Sequence, residues 1–429
     1  MKKICVMGLG YIGLPTAAMY ASMGCDVIGV DIDINKVEMI NKMEVPIKEP
    51  GLDELLRKVV YNGQLKASTR PEKADAFLIA VPTPVNKEKK ADLDCVRSAT
   101  EAIGKYVEPG SIVVLESTVP PLTVEELVVP ILRNCGVDIS RIYIGHCPER
   151  VIPGNILNEL VNNDRIVGGL DAESTKVIAD LYRIFVKGRI LETDCATAEM
   201  VKLMENTYRD VNIALANEFA LISEKLGINV WEAIKLANCH PRVNIHTPGP
   251  GVGGHCIAVD PYFIIEKAKE EARIISLSRQ INTLMPSKVV GKVKELVSKG
   301  SNIAVLGVAY KGNIDDMRES PSLEIIKQLL EEGYNVSTYD PFVKEDYQGK
   351  KRNLKEAVLT ADCLLVLTDH TQFAEINAKD IQKLVRNKCV IDTRNIVNNS
   401  WDECGFNVEI MWSGKSGLKP GSNKKARAI

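Results

Sequence analysis

The sequence carries three groups of residues whose types and spacing suit chemistry: a glycine-rich turn near the N-terminus, a polar set on a long helical segment, and a cysteine after a second glycine-rich loop. In the first group, Gly8, Gly10 and Gly13 follow an apolar run at residues 4–7 as G-x-G-x-x-G. These glycines permit a tight turn, approach of a pyrophosphate to the backbone, and close helix–strand packing. A helix that starts there offers free N–H groups to phosphates. A glycine-rich turn without a ligand is the alternative.

Asp31 strengthens the prediction of a dinucleotide site. It follows a second apolar run at residues 27–30 and lies about 20 residues beyond the glycines, where an acid binds a ribose 2′-hydroxyl. Because a carboxylate there repels a 2′-phosphate, the sequence favours NAD over NADP. Thr83 and Thr118 follow later apolar runs on the same carboxyl edge of the predicted sheet, where ligands collect. By position alone, each threonine either faces the cofactor or caps a helix.

Cys256 follows a glycine-rich loop that includes Gly253. Glycines leave room for a substrate and free N–H groups for an oxyanion. A thiol beside NAD predicts oxidation of an aldehyde through a thiohemiacetal and a thioester. One alternative is a small buried cysteine. Another is zinc, although the spacings match no structural zinc pattern, and no metal is expected. The cysteines and histidines in question are Cys239, His240, His246, His255 and Cys256.

Lys202, Asn206 and Arg209 stand at i, i+4 and i+7 on a long helical segment and therefore share one face. As a site, Lys202 and Asn206 would polarise the reacting oxygen while Arg209 meets an anionic group. A solvated stripe is the alternative. Glu149, in Cys-Pro-Glu-Arg, is a candidate for activating water.

The elements that position these residues indicate an α/β protein. Short apolar runs alternate with helical stretches in the first and last thirds of the chain, which is typical of parallel sheets covered on both faces. Residues 196–226 contain neither Gly nor Pro and have helical periodicity. We predict two Rossmann-like doubly wound domains joined by this central helix, with boundaries 1–195, 196–285 and 286–429. A helix of this kind is a natural dimer surface.

The two outer regions resemble each other. Gly24 and Asp31 correspond to Gly333 and Asp340 at the same offset. This pattern indicates a weak internal duplication of a nucleotide-binding fold. The alternative is that all doubly wound domains share such features.

Composition excludes several classes of protein. The chain has 429 residues, enough for two or three domains. Its 54 Lys plus Arg against 56 Asp plus Glu argue against a nucleic-acid partner held by a basic field. An odd count of 11 cysteines without a C-x-x-C pair favours a reducing, cytoplasmic location. No apolar run approaches about 18 residues, so no membrane span is expected.

Together these motifs resemble the nucleotide-sugar 6-dehydrogenases, which act on UDP-glucose, GDP-mannose or UDP-N-acetylhexosamines. The resemblance covers nearly the whole chain. It rests on the glycine turn and on Pro82-Thr83-Pro84, Glu116-Ser117-Thr118, Pro148-Glu149-Arg150, Lys202-x-x-x-Asn206, Gly253-Gly254-His255-Cys256 with Asp260, Tyr310-Lys311, Asp316-x-Arg318-Glu319-Ser320, Tyr339-Asp340-Pro341 and Asp392-Thr393-Arg394.

The resemblance implies a four-electron oxidation of a sugar C6 alcohol to a carboxylate, with two NAD and one water. It implies that Cys256 is the nucleophile, that Lys202 and Asn206 assist proton transfer and bind the oxyanion, and that Glu149 and Asp260 assist water. The implied cofactor contacts are Gly8, Gly10, Tyr11, Ile12, Gly13, Asp31, Thr83, Thr118 and Arg318. The implied UDP-sugar contacts, which make the last domain the UDP-sugar-binding one, are Arg150, Val151, Lys202, Asn206, Arg209, His240, Arg242, Gly253, Tyr310, Lys311 and Arg394.

Within this family, residues 238–245 and 248–261 are most similar to the enzymes of UDP-N-acetyl-D-mannosamine. The alternative substrates are UDP-N-acetyl-D-glucosamine or another UDP-hexose. His240 and Arg242 then resemble substrate contacts, and in relatives such an arginine commonly reaches a neighbouring subunit, so a homodimer or higher homo-oligomer is expected. Cys239 departs from the basic residue that relatives often have.

Two other classes fit parts of the sequence. A two-electron 3-hydroxyacid dehydrogenase also joins a Rossmann domain to a helical one and uses a Lys–Asn pair, but it needs neither the Cys256 loop nor a second nucleotide-like domain. An NAD-sensing binding protein would bind NAD without sugar-dependent reduction, and the charge balance and lack of a nucleic-acid motif argue against it.

Overall fold

The computed structural model describes residues 2–398 and 400–414, which divide into two compact units. The first unit comprises the residues up to Asn206 together with Tyr262–Ala272. The second comprises Thr207–Pro261 and the residues from Arg273 onward. The chain therefore passes from one unit to the other three times, twice within a helix.

The first unit contains one eight-stranded sheet in the order β3-β2-β1-β4-β5-β6-β7-β8. Neighbouring strands are parallel except β6 and β7. The strands are β1 (Lys3–Met7), β2 (Asp26–Val30), β3 (Leu65–Ser68), β4 (Ala76–Ile79), β5 (Ile112–Leu115), β6 (Tyr143–His146), β7 (Arg165–Gly169) and β8 (Ile190–Asp194).

Helices cover both faces of this sheet. Alternate residues of β1 enter different cores, with Ile4 and Val6 in one and Cys5 and Met7 in the other. This period-two alternation on two buried faces is why the strands read as continuous apolar runs. The helices are α1 (Gly13–Ser22), α2 (Ile34–Asn41), α3 (Leu52–Tyr61), α4 (Asp94–Gly104), α5 (Val129–Asn134), α6 (Ile156–Asn162) and α7 (Ala172–Tyr182), with a π-turn at Val124–Val128 and a 3₁₀ turn at Ile139–Arg141.

A long helix, α8 (Cys195–Leu226), follows the first sheet and lies where the sequence predicts one. Three further helices precede the second sheet: α9 (Val230–Ala237), α10 (Asp260–Lys267) and α11 (Arg273–Leu296). No helix in the described part of the chain combines the length and the apolar character that spanning a membrane requires.

The second unit has a five-stranded parallel sheet in the order β10-β9-β11-β12-β13. Its strands also alternate between two buried cores, as Ile303 and Ala304 show. The elements are β9 (Asn302–Leu306), α12 (Pro321–Glu331), β10 (Asn335–Tyr339), α13 (Leu354–Val358), β11 (Cys363–Val366), α14 (Thr371–Ala374), α15 (Ala378–Ile381), β12 (Cys389–Asp392), α16 (Ser400–Glu403) and β13 (Asn407–Ile410).

The predicted correspondence between Asp31 and Asp340 extends to hydrogen bonding. Each aspartate follows the second strand of its unit and accepts backbone N–H groups from the loop after the first strand. Asp31 accepts from Leu9 at 3.0 Å, and Asp340 accepts from Val308 at 2.8 Å. The two sites then differ, because buried His370 lies 2.9 Å from Asp340. Burial alone would raise the pKa of Asp340, but the hydrogen bonds from His370 and the backbone lower it to about 2.

The predicted fold class, two Rossmann-like α/β units, is confirmed. The division into three regions at 195 and 285 stays a prediction. The last of these regions reaches residue 429, and its residues 415–429 lie outside the described part of the chain.

Candidate active site

The three glycines of the turn in the first unit have different structural roles. Gly8 has φ +93°, and a Cβ there would lie 2.4 Å from the Ala80 carbonyl oxygen. A Cβ on Gly13 would lie 1.8 Å from the Gly8 carbonyl oxygen, so helix and turn touch through backbone alone. A Cβ on Gly10 would meet nothing within 4 Å. Gly10 is therefore the position at which a phosphate can approach the backbone.

Helix α1 begins at Gly13, and its N-cap residue Ile12 makes no side-chain capping bond. The start of this helix thus presents backbone N–H groups and the positive end of the helix dipole to an anion. Tyr11, beside Ile12, is exposed on the same turn. These features fit the pyrophosphate of a dinucleotide.

Asp31 is held rigidly at the end of β2. Its carboxylate accepts the N–H groups of Leu9 and Asp33, each at 3.0 Å, and the Lys36 ammonium lies 3.5 Å away. A carboxylate has about four lone-pair positions, so acceptor capacity remains for a ribose hydroxyl. The geometry fits NAD.

Thr83 does not cap a helix. Its hydroxyl donates to the Thr118 carbonyl oxygen at 2.6 Å, and the neighbouring Ser117 hydroxyl donates to the Val81 carbonyl oxygen at 2.7 Å. These two bonds tie the loop after β4 to the loop after β5. They fix the carboxyl edge of the sheet beside the glycine turn.

Glu149 lies in the loop after β6 with both carboxylate oxygens engaged. Oε1 accepts the N–H of Arg150 at 2.7 Å, and Oε2 accepts Nη2 of Arg165 at 2.8 Å. The side chains of Arg165 and Glu149 are only 4% and 9% exposed. Arg165 was not among the residues predicted from the sequence. The available signal was a cation at the start of an otherwise apolar strand, which needs a buried partner.

Arg150, a predicted substrate contact, forms a bidentate ion pair with Glu205 of α8. Its Nη2 lies 2.6 Å from Oε1 and its Nε lies 3.2 Å from Oε2, while Nη1 donates to the Asp164 carbonyl oxygen at 3.1 Å. Val151 is half-buried and packs against the core of the first unit.

The predicted polar trio on α8 falls into both units. Lys202 is half-buried and Asn206 is buried, and both belong to the first unit. Arg209 is exposed and belongs to the second.

The Cys256 loop in the second unit is packed tightly on Tyr310. A Cβ on Gly253 would lie 2.6 Å from the Tyr310 Cβ, and one on Gly254 would lie 3.0 Å from the Tyr310 ring. The N–H of Gly254 donates to the Arg318 carbonyl oxygen at 3.0 Å. The expectation of free N–H groups is therefore wrong for Gly254. Gly254 instead allows the loop to pack closely on Tyr310, and its φ of +85° also favours glycine.

Cys256 is half-buried at a turn that leads into α10. Its carbonyl oxygen accepts the N–H groups of Val259 at 3.0 Å and Asp260 at 2.8 Å. Asp260 is buried at the first residue of that helix. Burial raises the pKa of Tyr310, and the charges of Asp316 and Cys256 raise it further. The thiol thus shares an electrostatic environment with the loop that carries Asp316.

A chain of buried hydrogen bonds, also missed from the sequence, holds the start of the Cys256 loop. Arg279 donates to Asp210 at 2.6 Å, and Asn282 donates to the same carboxylate at 2.8 Å. Asn217 donates to Asn282 at 2.9 Å and accepts the N–H of Gly249 at 2.9 Å. These polar residues lie far apart in the sequence, and only the packing of α8 against α11 brings them together.

Two of the predicted cationic contacts in the second unit are paired with aspartates. Arg318 forms a fork on Asp316 with distances of 2.9 and 2.6 Å. Arg394 lies 2.9 Å from Asp369 and abuts Gly249, where a Cβ would be 2.3 Å from its Nη1. Burial alone would raise the pKa of Asp369, but Arg394 lowers it. Lys311 is exposed.

The segment with His240 and Arg242 borders a cavity of about 460 Å³. Asn238 shapes this segment by accepting the N–H of Ile245 at 2.7 Å and donating to its carbonyl oxygen at 3.0 Å. His240 is exposed, and its ring accepts the Arg242 N–H at 3.4 Å. The cavity is lined by Tyr208, Asn212, Leu215, Pro241, Arg242, Val243, Asn244 and Ile245.

The zinc alternative requires a cluster of metal-ligating side chains. Across residues 2–398 and 400–414, no group of three or more His, Cys, Asp or Glu side chains is arranged to hold a metal ion.

A Rossmann-like unit with this glycine turn and with an acid after its second strand is typical of the NAD-binding domain of an oxidoreductase. Comparison with known proteins makes the assignment more specific, and the chain belongs to the UDP-glucose/GDP-mannose dehydrogenase family. The NAD binding domain of that family matches residues 2–186, the central domain matches 196–284, and the UDP binding domain matches 304–399.

Individual relatives are similar over nearly their full length. UDP-N-acetyl-D-mannosamine dehydrogenase of Methanocaldococcus jannaschii is 48% identical over 423 residues, which cover 97% of each chain. The structure of UDP-D-ManNAc dehydrogenase from Pyrococcus horikoshii has a TM-score of 0.89 at 43% identity, covering 96% of this chain and 99% of that one. NDP-N-acetyl-D-galactosaminuronic acid dehydrogenase of Ralstonia nicotianae is 46% identical over 409 residues, 92% of this chain and 96% of the relative.

The different roles of Gly10 and Gly13 are testable with one methyl group each. Gly10→Ala is expected to leave the free energy of unfolding within about 0.5 kcal/mol and to weaken NAD binding at least about tenfold. Gly13→Ala is expected to lower that free energy by about 1–3 kcal/mol, because the Cβ overlaps the Gly8 carbonyl.

Thermal unfolding followed by circular dichroism, together with NAD titration, measures both effects. Tryptophan fluorescence is unsuitable because all three tryptophans of the chain belong to the second unit. Equal unfolding temperatures for the two variants would contradict the assignment.

Proposed function

We propose that the protein oxidises UDP-N-acetyl-D-mannosamine at C6 to UDP-N-acetyl-D-mannosaminuronate, a precursor for glycan or surface polysaccharide. The reaction converts the alcohol and one water into a carboxylate and transfers two hydrides to two NAD. The observation that carries this proposal is the Cys256 loop, with its family context, in a chain 48% identical to an enzyme named for this substrate. UDP-N-acetyl-D-glucosamine is the alternative substrate, and the Ralstonia relative adds the galactosamine epimer.

In the proposed reaction the Cys256 thiolate adds to the C6 aldehyde and forms a thiohemiacetal. Two NAD molecules, bound in turn, would supply the oxidant, one for the alcohol and one for the thiohemiacetal. Loss of the second hydride from the thiohemiacetal leaves a thioester in which the acyl group is bonded to Cys256. Water then attacks the carbonyl carbon, the C–S bond breaks, and the thiolate is restored.

Four side chains have distinct proposed roles in these steps. The half-buried Lys202 ammonium stabilises charge on the reacting oxygen, and Asn206 donates a hydrogen bond to it. The Glu149 carboxylate takes the proton of the attacking water. Its fixed orientation between Arg150 N–H and Arg165 supports this role, because a base must point at its proton. Asp260, at the start of α10, assists the same water.

We assign recognition of the UDP group to basic and aromatic side chains. Tyr310, Lys311 and Arg394 lie within the segment that matches the UDP binding domain. A guanidinium group can donate two parallel hydrogen bonds to the oxygens of one phosphate. Arg150 and Arg394 are already paired with carboxylates, so an anionic substrate would exchange one anionic partner for another rather than meet a bare charge. Tyr310 stacks on or hydrogen-bonds to the UDP group, and His240 and Arg242 contact the sugar.

We further propose a homodimer, formed in the cytoplasm, through α8. Tyr208, Leu215 and Ile222 are 68%, 41% and 47% exposed and recur every seventh residue. Leu226 continues the same stripe and is also exposed. A heptad of apolar side chains on one face of a long helix is typical of a helix–helix interface.

The substrate assignment is tested with purified protein, NAD and a panel of sugar nucleotides. UDP-N-acetyl-D-mannosamine is expected to give two NADH per sugar oxidised. The panel also contains UDP-N-acetyl-D-glucosamine, UDP-N-acetyl-D-galactosamine, UDP-glucose and GDP-mannose. Turnover of another sugar without turnover of UDP-N-acetyl-D-mannosamine would refute the assignment. One NADH per sugar would instead indicate a two-electron dehydrogenase.

The nucleophile is tested with Cys256→Ser. Acid formation is expected to fall by roughly 10³-fold or more, as when other covalent nucleophiles are removed, and at most the alcohol–aldehyde step should remain. Cys95→Ser, at an exposed cysteine of α4, is the matched control and should retain the rate. Full two-NADH stoichiometry in Cys256→Ser would disprove thioester catalysis.

The interface is tested with Ile222→Glu, which places a charge in the apolar stripe. Its mass in solution, measured by light scattering, is expected to fall to that of one chain. Lys327→Glu, a charge reversal at an exposed position of α12, should keep the mass of the unaltered protein. An unchanged mass for Ile222→Glu would exclude this interface.

A further inference from the structure

A buried polar cluster lies behind Glu149 in the first unit. At its centre, Arg165 opens strand β7 and donates to Glu149 Oε2 at 2.8 Å. The guanidinium carbon lies 4.9 Å from the centre of the Tyr182 ring and 5.6 Å from that of Phe185. These rings and the sheet exclude water from the far side of the guanidinium, so its charge acts on few groups.

Glu116 is the second acid of the cluster and is 2% exposed. Its Oε1 accepts the Tyr182 hydroxyl at 2.6 Å. Oε2 is buried and has no hydrogen-bond partner among the residues that the structure describes. Burial raises the pKa of Glu116 to about 7, against the opposing effect of the Arg165 charge.

The charges of this cluster do not balance when every acid is ionised. One cation, Arg165, faces Glu149 and Glu116. Glu149 forms the direct ion pair with Arg165, and its carboxylate also accepts the Arg150 N–H at 2.7 Å. An uncompensated charge is costly in an interior without water, and this cost favours the protonated, neutral form of Glu116. Arg165 therefore stays paired with Glu149 as long as Glu116 is neutral.

We propose that Arg165 is a positioning residue, which holds the Glu149 carboxylate in one orientation for thioester hydrolysis, and that Glu116 competes for Arg165 when it ionises. The inference rests on the proposed function of Glu149. In that step a water oxygen attacks the thioester carbon, the C–S bond to Cys256 breaks, and the water proton passes to Glu149 and then to solvent. Arg165 touches none of the reacting atoms.

The tyrosines and the cysteine around Glu116 stay neutral near pH 7. Burial raises the pKa values of Tyr20 on α1 and Tyr182 on α7 well above their usual range, and it raises that of Cys147 to about 12. Glu116, in contrast, changes its charge as the pH rises through about 7. Ionised Glu116 would draw Arg165 away from Glu149, and hydrolysis would slow.

The test uses the full-length protein with NAD and UDP-N-acetyl-D-mannosamine in a rapid-mixing experiment. Arg165→Met is expected to keep the initial burst of NADH within about threefold of the unaltered protein and to lower the steady-state rate by about 10²-fold, the cost of a misplaced group. A thioester on Cys256 should then accumulate and be visible by mass spectrometry. Arg165→Lys, which keeps the charge but not the fork, should fall between the two.

Arg189→Met is the matched control, since this exposed arginine lies on the neighbouring chain segment and pairs with Asp164 at the surface. It should behave as the unaltered protein. An unchanged steady-state rate in Arg165→Met would overturn the inference. So would a parallel loss of burst, steady-state rate and NAD affinity, because that pattern indicates only a structural role.

Glu116→Gln gives a second measurement should Arg165→Met fail to fold. The unaltered protein is expected to lose steady-state rate severalfold above pH 7, while Glu116→Gln should lack this decline. Superimposable pH profiles would overturn the inference. These outcomes are distinct from a failure of the proposed function, in which the unaltered protein would not oxidise the sugar at all.

Discussion

The cofactor half of this protein depends on a contact that no side chain makes. Helix α1 meets the turn after β1 through Gly13 and the Gly8 carbonyl oxygen, at a separation that leaves no space for a Cβ. This contact sets where α1 begins and therefore where its N–H groups point. It also places Gly10 and Asp31 on one side of the carboxyl edge of the sheet. The bonds of Thr83 and Ser117 then fix the neighbouring loops to that edge.

Buried charge is the second constraint, and each unit satisfies it with internal partners. In the first unit Arg165 compensates Glu149, and in the second Arg279 compensates Asp210 while His370 faces Asp340. Removing one partner of such a pair leaves a charge in a dry interior, which costs more than the pair itself contributes. The pairs therefore fix orientation as much as they contribute stability. Glu149 and the loop before Cys256 are both oriented in this way.

The sequence predicted much of this arrangement because some constraints are local. Glycine spacing, the acid at residue 31 and the uninterrupted helical stretch at 196–226 follow from backbone geometry, and the structure contains the turn, the acid and α8. Arg165, Asn217 and Asn282 could not be identified in the same way, since their partners lie far along the chain. The Gly254 N–H was predicted to be free, yet it bonds to the Arg318 carbonyl oxygen, because the loop packs on Tyr310. Arg150 was predicted from its motif, while its fork on Glu205 depends on the placement of α8.

The central claim is that oxidation proceeds through an acyl group on Cys256. Quenched-flow peptide mapping of the unaltered protein, with NAD and UDP-N-acetyl-D-mannosamine, tests it most directly. The account predicts that the peptide containing Cys256 carries the uronyl group as a thioester during turnover and that hydroxylamine removes it. Formation of two NADH per sugar with Cys256 unmodified at every time point would contradict it.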